Sequence, residues 1–490
     1  MHCTKSWLPP GGYNHSMDTM FRKSPALAVR TPLLRSDELR LMEARHADAL
    51  PPLMERAGRS AAEFVRQLIK GSRAPVLVVG GAGNNGGDAR VMAQALKEQG
   101  TRVVVVSPGE SVPTGNYALV VDGLFGIGLT RPVAGIHADL IARINAFPGP
   151  ILALDVPSGL DGDTGRVLGI AVRATHTLSF IGGKPGLYTL DGPDQCGEVN
   201  VADLGLRLGD FPGALLSTDD FRDCMSPRKS NSHKGSYGSL AVIGGAAGMT
   251  GAVLLAARAG LKLGAGRVFV GLLQALAIDP LQPELMLRPP DDALDSATAA
   301  VVGPGLGTSN AAVEILRRVA SADFPLLLDA DALNLVSAHS VLAVHVRRRV
   351  AATVITPHPA EAARLLATSV EAVQADRVGA ALELAQRFKA HVALKGCGTI
   401  IAHPDGRWRI NTTGNPGLAS GGSGDVLSGM AGALLAQGWP AGAAISAAVH
   451  LHGAAADTLA AGGDGPIGIA AGELIPVART LLNRLILENA

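Results

Sequence analysis

Apolar residues recur at helical spacing from Ser36 to about Lys70, first at Leu39, Met42 and Ala47, then at Leu53, Met54, Ala57, Ala61, Val65 and Leu68. Pro51-Pro52 divides the stretch, which predicts two helices, the second opening at proline. From Val76 the pattern becomes short apolar runs alternating with amphipathic segments. Strands are expected at Val76–Val79, Val103–Val106, Leu119–Val121 and Ile151–Leu154, with helices over Asp88–Gln99 and Ile136–Ile144. The Val103–Val106 run reads as fully buried. Apolar strands alternating with helices predict a parallel sheet covered on both faces. Between about Leu216 and Lys234 the residues turn to Ser, Asp, Arg, Lys and Pro with almost no apolar periodicity, as in an interdomain linker. A second alternation follows, with strands at Leu240–Ile243, Ala300–Val302, Leu326–Leu328, Val354–Ile355 and Val392–Leu394, helix from Thr250 to Leu263, and a closing helix through Leu435. The expected fold class is α/β. A disordered tail (1–30) precedes a doubly wound domain (31–216), a linker (217–233) and a second α/β domain (234–490).

Composition adds exclusions. The 490 residues are 47% hydrophobic, enough for large cores, and carry a net charge of +1, which argues against a chain-wide nucleic-acid or polybasic membrane role. The run Arg347-Arg348-Arg349 reads as a solvated helix end or loop. Cys3, Cys196, Cys224 and Cys397 are scattered without a CxxC, which points to no disulfide framework or zinc site and to a reducing cytoplasm. No apolar stretch is long enough to span a bilayer, and the first thirty residues lack the apolar core of a signal peptide. Met17 and Met20 are alternative starts for this segment.

Ligands in such sheets bind beyond the carboxyl ends of the strands, where three unusual loops fall: Gly80–Asp88, Asp122–Gly128 and Asp155–Asp161. Gly81-x-Gly83-x-x-Gly86 matches the Rossmann dinucleotide fingerprint between strand and helix. The acidic residue expected at the end of the next strand is missing, since that strand runs into Val106-Ser107-Pro108-Gly109, so a routine NAD-dependent dehydrogenase is disfavoured. Asn85, Asp122 and the hydroxyl and carbonyl of Ser158 bring hard oxygen donors to three strand ends, as a hard cation requires. Asp155 can serve as acid or base if partly buried. Each Asp alone could equally be a turn or cap residue; their joint placement favours a site.

The second half lacks GxxxxGK[ST] and is not a P-loop protein. Gly421-Gly422-Ser423-Gly424-Asp425 instead reads as a nest of backbone donors at a helix N-terminus, with the Asp425 carboxylate placed to deprotonate a hydroxyl attacking a phosphoryl group. Lys395-Gly396-Cys397-Gly398-Thr399 at another strand end supplies a second nucleotide contact. His358, between two prolines after a strand, is read as a ligand contact held in a stiff turn. His450 and His452 are read as packing or surface residues.

On these motifs the chain resembles the bifunctional NAD(P)H-hydrate repair enzyme family, an epimerase domain fused to an ADP-dependent dehydratase domain. Epimerase-type motifs are Asn84-Asn85-Gly86-Gly87-Asp88, Asp155–Asp161 and Lys184-Pro185-Gly186. Dehydratase-type motifs are His233-Lys234-Gly235, Thr356–Glu361, Lys395–Thr399 and Gly421–Asp425. Ala89 and Ala360 stand where the family often has Gly, and neither removes a functional group. The resemblance implies a Rossmann-like first domain and a ribokinase-like second one. It implies contacts to the hydrated cofactor from Asn84, Asn85, Gly86, Gly87 and Asp88, from Gly126, Ile127, Gly128, Leu129, Thr130, Arg131 and Pro132, and from Asp155. It further implies a potassium ion on Asn85, Asp122 and Ser158. In the second domain it implies hydrate contacts from Ala252, Gly305, His358 and Asp425, and nucleotide contacts from Lys395, Gly396, Cys397, Gly398, Thr399 and Gly424. Asp155 and Asp425 are the implied catalytic residues, with ADP as co-substrate and Mg2+. The expected partners are the hydrates of NADH and NADPH and an adenine nucleotide, with no nucleic acid, no membrane and a homo-oligomeric state. A small-hydroxyl kinase fused to a nucleotide-binding domain, and a scaffold with a non-catalytic first half, remain the alternatives.

Overall fold

The computed structural model describes residues 31–209 and 211–489; the expected tail at 1–30 lies outside them. The first sheet contains β1 (Val76–Gly80), β2 (Val103–Val106), β3 (Leu119–Gly123), β4 (Ile151–Leu154), β5 (His176–Phe180) and β6 (Glu198–Ala202). Its order is β2-β1-β3-β4-β5-β6 with every pairing parallel. β-Branched and aliphatic residues make these strands, and alternate positions feed two cores. Val76, Val78 and Val121 pack with the helices Leu53–Leu68 and Asn84–Glu98 on one face, while Leu77, Val79 and Val120 pack with Ile136–Asn145 on the other. The chain reverses direction across the sheet between β1 and β3, which opens a crevice at their carboxyl ends.

The second sheet contains β7 (Gly213–Leu215), β8 (Ser239–Gly244), β9 (Arg267–Leu272), β10 (Met286–Arg288), β11 (Ala299–Val302), β12 (Leu326–Leu328), β13 (Thr353–Ile355), β14 (His391–Leu394), β15 (Ile400–Ala402) and β16 (Trp408–Ile410). The order is β10-β9-β8-β11-β12-β13-β14-β15-β16-β7, with antiparallel pairs only around β15. Here the reversal lies between β8 and β11. One face packs on the helices Thr250–Lys262, Ser423–Ala436 and Ala441–Leu459, whose small residues allow close approach. Among the described residues no helix is long and apolar enough to cross a membrane.

Several expectations change, and the second sheet has ten strands where five were expected. The first sheet has two strands beyond the four expected, because β5 and β6 interleave polar residues with apolar ones and carry no apolar run. β2 is an edge strand with Val105 exposed, not fully buried. The helix expected from Asp88 starts at Asn84, so the Asn-Asn-Gly-Gly-Asp motif is its first turn.

The segment expected as a linker is anchored. Just before it, inside the span expected for the first domain, β7 pairs with β16 of the second sheet; within it Phe221 and Met225 (2% and 4% exposed) enter the larger core from short 3-10 turns, while Asp220 accepts from Arg409 at 2.9 Å. Single apolar anchors in irregular backbone leave no periodicity to read. Phe221→Ala should therefore cost about 3–5 kcal/mol in urea unfolding, where an exposed linker residue would cost almost nothing.

Candidate active sites at the two crevices

At the first crevice a cavity of about 1180 Å³ is lined by the β1 loop, Phe125–Arg131 and Asp155, by Leu39, Arg40 and Glu43 from the helix Ser36–Arg45, and by His46 just after it. Gly86 lets the helix Asn84–Glu98 start against the β1 loop, since a Cβ there would lie 1.9 Å from the Gly81 carbonyl oxygen. Asp155, directly after β4, has φ of +64°, a conformation an L residue holds only when its surroundings enforce it.

Its carboxylate is ion-paired with Lys184, whose side chain is completely buried. The Lys184 ammonium also donates to Ser179 Oγ (3.0 Å) and to the carbonyls of Phe180 (2.8 Å) and Gly182 (3.3 Å). Two further carboxyls line the cavity. Burial, then Asp155 and Glu43, push Asp88 up to about 8 against the opposing effect of Lys184. Burial and Asp155 also raise Glu43. Arg40, Arg90 and Arg131 give the same cavity a cationic rim.

Behind this wall lies the oxygen cluster. Ser158 Oγ donates to Asp122 Oδ1 at 2.6 Å, Ser158 N donates to Asp122 Oδ2 at 2.8 Å, and Phe125 N donates to Ser158 Oγ at 2.8 Å. Asn85 Nδ2 donates to the carbonyls of Phe125 (2.7 Å) and Leu154 (3.0 Å), leaving its buried Oδ1 without a hydrogen-bond partner. Burial pushes Asp122 up to about 6, although hydrogen bonds from Ser158 and Leu124 oppose it. An orphaned amide oxygen beside hydroxyl, carboxyl and carbonyl oxygens is a donor set that fits a hard monovalent cation.

In the second domain the strand ends assemble a charged network. Lys395 Nζ donates to Asp329 Oδ1 at 2.8 Å and lies 4.0 Å from Glu361 Oε2, while Ser428 Oγ donates to Asp329 Oδ2 at 2.7 Å. Burial alone would lower the Lys395 pKa; Asp329, Glu361 and Asp425 overcome it and raise the pKa above its ordinary value. Burial and then Asp329 push Asp425 up to about 6, with Lys395 opposing. Gly424 brings the helix N-terminus against this ammonium. A smaller cavity of about 300 Å³, lined by Pro416, Gly417, Ala419, Ser420 and Pro466–Ile469, adjoins the glycine-rich loop.

Most of the expected residues converge. Asn84, Asn85, Asp88, Gly126–Arg131 and Asp155 line the first cavity; Gly86 and Gly87 lie buried beneath it, and Pro132 is exposed outside the lining. Asn85, Asp122 and Ser158 meet as expected. His358 caps the helix Pro359–Leu366, its Nδ1 accepting from Ala360 N at 3.1 Å, and burial followed by Lys395 lowers its pKa. Gly305 accepts from Ala246 N at 2.7 Å beside the helix that carries Ala252. Sequence reasoning missed the roles of Lys184, Glu43, Asp329, Glu361 and Ser428. The signals for Lys184 and Asp329 were present, a lysine in a glycine-rich apolar stretch and an acid directly after an apolar strand.

The architecture of residues beyond β7 is that of a ribokinase-like α/β enzyme. A ribokinase-like superfamily protein from Enterococcus faecalis superposes with a TM-score of 0.50 at 26% identity, covering 57% of this chain and 99% of that one. The family model described as NAD(P)H-hydrate dehydratase matches residues 240–472, and the one described as YjeF-related protein N-terminus matches 51–114 and 107–186. The bifunctional NAD(P)H-hydrate repair enzyme Nnr of Coxiella burnetii is 38% identical over 88% of this chain and 94% of its own length. Its Escherichia coli namesake is 37% identical over 95% and 96%. The chain belongs to the family of bifunctional NAD(P)H-hydrate repair enzymes.

Breaking the buried pair tests the architecture of the first site. Lys184→Met should cost about 3–5 kcal/mol in urea unfolding, because it strands a buried carboxylate, and Lys184→Met/Asp155→Asn should recover part of that loss.

Proposed function

We propose that the first site epimerises the R and S hydrates of NADH and NADPH and that the second dehydrates the S form, using ADP and giving AMP and phosphate. The observation that carries this reading is the pairing of sites on one chain: a carboxyl-lined, cation-rimmed cavity of dinucleotide size, and an aspartate at an anion-binding helix N-terminus. Water added to the enamine-like ring double bond leaves its hydroxyl on the carbon next to the ring nitrogen. In the first site Asp88, carrying its proton, hydrogen-bonds that hydroxyl and gives the proton up as the C–O bond breaks. The ring nitrogen stabilises the resulting cation, and the released water adds to the opposite face as Asp155 accepts its proton. Solvent exchange restores both carboxyls. Lys184 orients Asp155, and the arginines hold the diphosphate. Asn85, Asp122 and Ser158 would hold potassium, which supplies a fixed positive charge beside the β1 and β3 loops.

In the second site Asp425 takes the proton of the hydrate hydroxyl, and that oxygen attacks the terminal phosphorus of ADP, breaking the bond to AMP. Phosphate then leaves the ring carbon as the neighbouring carbon loses a proton, restoring the double bond. The chain contributes the amide nest at Gly421–Gly424, the positive charge of Lys395 and the strand-end loops Gly303–Gly307 and Lys395–Thr399. The cavity of about 300 Å³ at Pro416 and Pro466–Ile469 has room for the adenine ring. Among the described residues no three His, Cys, Asp or Glu side chains gather as a metal cage. Mg2+ would accordingly be held mainly by phosphate oxygens and water, where it neutralises phosphate charge. The cytoplasm as compartment and a homo-oligomeric state belong to the same proposal.

The test is recovery of reduced-nicotinamide absorbance from mixed R and S hydrates. Complete recovery with ADP is expected. Asp155→Asn should stall after the S form is consumed, and Asp425→Asn should give no recovery while still epimerising. A stable phosphorylated product in place of restored cofactor would establish the small-hydroxyl kinase instead. Because Asp88 must be protonated, epimerase kcat/KM, corrected for spontaneous epimerisation, should fall as pH rises through about 8. Asp88→Asn should be slow and lack that limb.

A further inference from the structure

The interface between the domains contains a hydroxyl whose partners belong to the second site. Thr189 follows the 3-10 turn Pro185–Leu187 of the first domain and is 1% exposed. Its Oγ1 donates to the Cys397 carbonyl at 3.0 Å and accepts from Arg377 Nε at 2.9 Å. Leu190 N donates to the same Cys397 carbonyl at 3.3 Å. Arg377, from the helix Arg377–Phe388 and 2% exposed, donates through Nη2 to the carbonyls of Leu394 and Lys395, both at 3.3 Å, and of Gly398 at 3.5 Å. At Gly398 (φ +62°) an added Cβ would lie 2.0 Å from the Tyr188 carbonyl oxygen, so this part of the loop rests directly on first-domain backbone.

These bonds have one directional consequence. Within a trans peptide the C=O of one residue and the N–H of the next point opposite ways. Drawing the carbonyls of Lys395, Cys397 and Gly398 back toward Arg377 and residues 189–190 turns the N–H groups of Gly396, Gly398 and Thr399 forward. Gly396 and Cys397 are the exposed residues of the loop. Successive forward-pointing N–H groups make an anion-binding concavity.

We infer that Thr189 of the first domain is a positioning residue for the nucleotide step of the second, holding the Lys395–Thr399 loop with its amides toward the phosphates of the adenine nucleotide. The second site is thus complete only with the first domain docked against it. The inference rests on reading Lys395–Thr399 as the nucleotide loop, and the experiment separates the two.

In the full-length protein, Thr189→Val keeps the shape and deletes the hydroxyl. It also strands the Arg377 Nε donor. With pure S hydrate, KM for ADP should rise about tenfold, the effect of losing roughly one buried hydrogen bond, while KM for the hydrate, kcat and the epimerase rate stay within about twofold. Thr189→Ser, which restores donor and acceptor, should return KM for ADP to near wild type. A merely structural role would move the unfolding midpoint and leave the KM for ADP alone. The inference is overturned if KM for ADP is unchanged in Thr189→Val, if it rises equally in Thr189→Ser, or if KM for the hydrate rises in parallel. Should Thr189→Val not fold, Thr189→Ala is judged by the same outcomes. The loop reading is checked independently by Lys395→Ala. If that variant leaves KM for ADP unchanged, Lys395–Thr399 is not the nucleotide loop, whatever the Thr189 variants do.

Discussion

The first domain is organised around one buried charge. Taking an ammonium out of water costs several kcal/mol, and Lys184 regains it only through the Asp155 carboxylate, a serine hydroxyl and two carbonyls. Those partners come from the end of β4, from the last two residues of β5 and from the turn after it, so satisfying one charge fixes the relative position of two strand ends. It also accounts for the backbone there. Asp155 and Ile181 both hold φ in the left-handed region, which the network enforces. The cavity wall is therefore rigid where its carboxylate must be placed.

That rigidity separates the roles of the carboxyls. Asp155 faces a fixed ammonium, whereas Asp88 faces two other carboxyls across the cavity and is held toward its neutral form. Two aspartates with different neighbours can act as acid and base in one turnover, which interconversion of two faces of a carbon requires. The second site sorts its charges in a similar way. Asp329 is taken up by Lys395 and Ser428, and Asp331 accepts from Gly307 N at 2.8 Å, leaving Asp425 as the carboxylate at the helix N-terminus.

What could be read from the sequence follows from how each feature is encoded. Buried parallel strands write themselves as apolar runs, and the loops after them as Gly, Asn and Asp, so β1, β3, β4 and five of the ten strands of the second sheet (β8, β11, β12, β13 and β14) were legible, as were Asn85, Asp122, Ser158, Asp155 and Asp425. β5 and β6 were not, because Thr177 and Ser179 bury hydroxyls within the strand and break the apolar run. Lys184 and Asp329 each carried a local signal, but not their pairing, since the partners Asp155 and Lys395 lie elsewhere in the chain. Glu43 is an ordinary acid on an amphipathic helix until that helix closes one side of the cavity. Phe221 and Met225 are isolated apolar residues whose burial depends entirely on the sheet they reach.

Fusion of the two domains is more than tethering. Pro32 bridges to Ala214 of β7, and Leu33 bridges to Gly183, one residue before Lys184. Leu33 N donates to the Gly213 carbonyl at 3.0 Å and Gly183 N to the Pro32 carbonyl at 3.1 Å. One extended segment thus joins the edge strand of the larger sheet to the turn that presents the buried lysine. Epimerisation alone changes no net amount of damaged cofactor; it becomes useful only when a second, nucleotide-driven step removes one epimer and pulls the other across. An equilibrium step supplying an irreversible one is useful only where both activities are present, which a single chain guarantees. The shared backbone around Pro32, Gly183 and Thr189 goes beyond tethering, because the turn that presents Lys184 and the Lys395–Thr399 loop rest on the same interface.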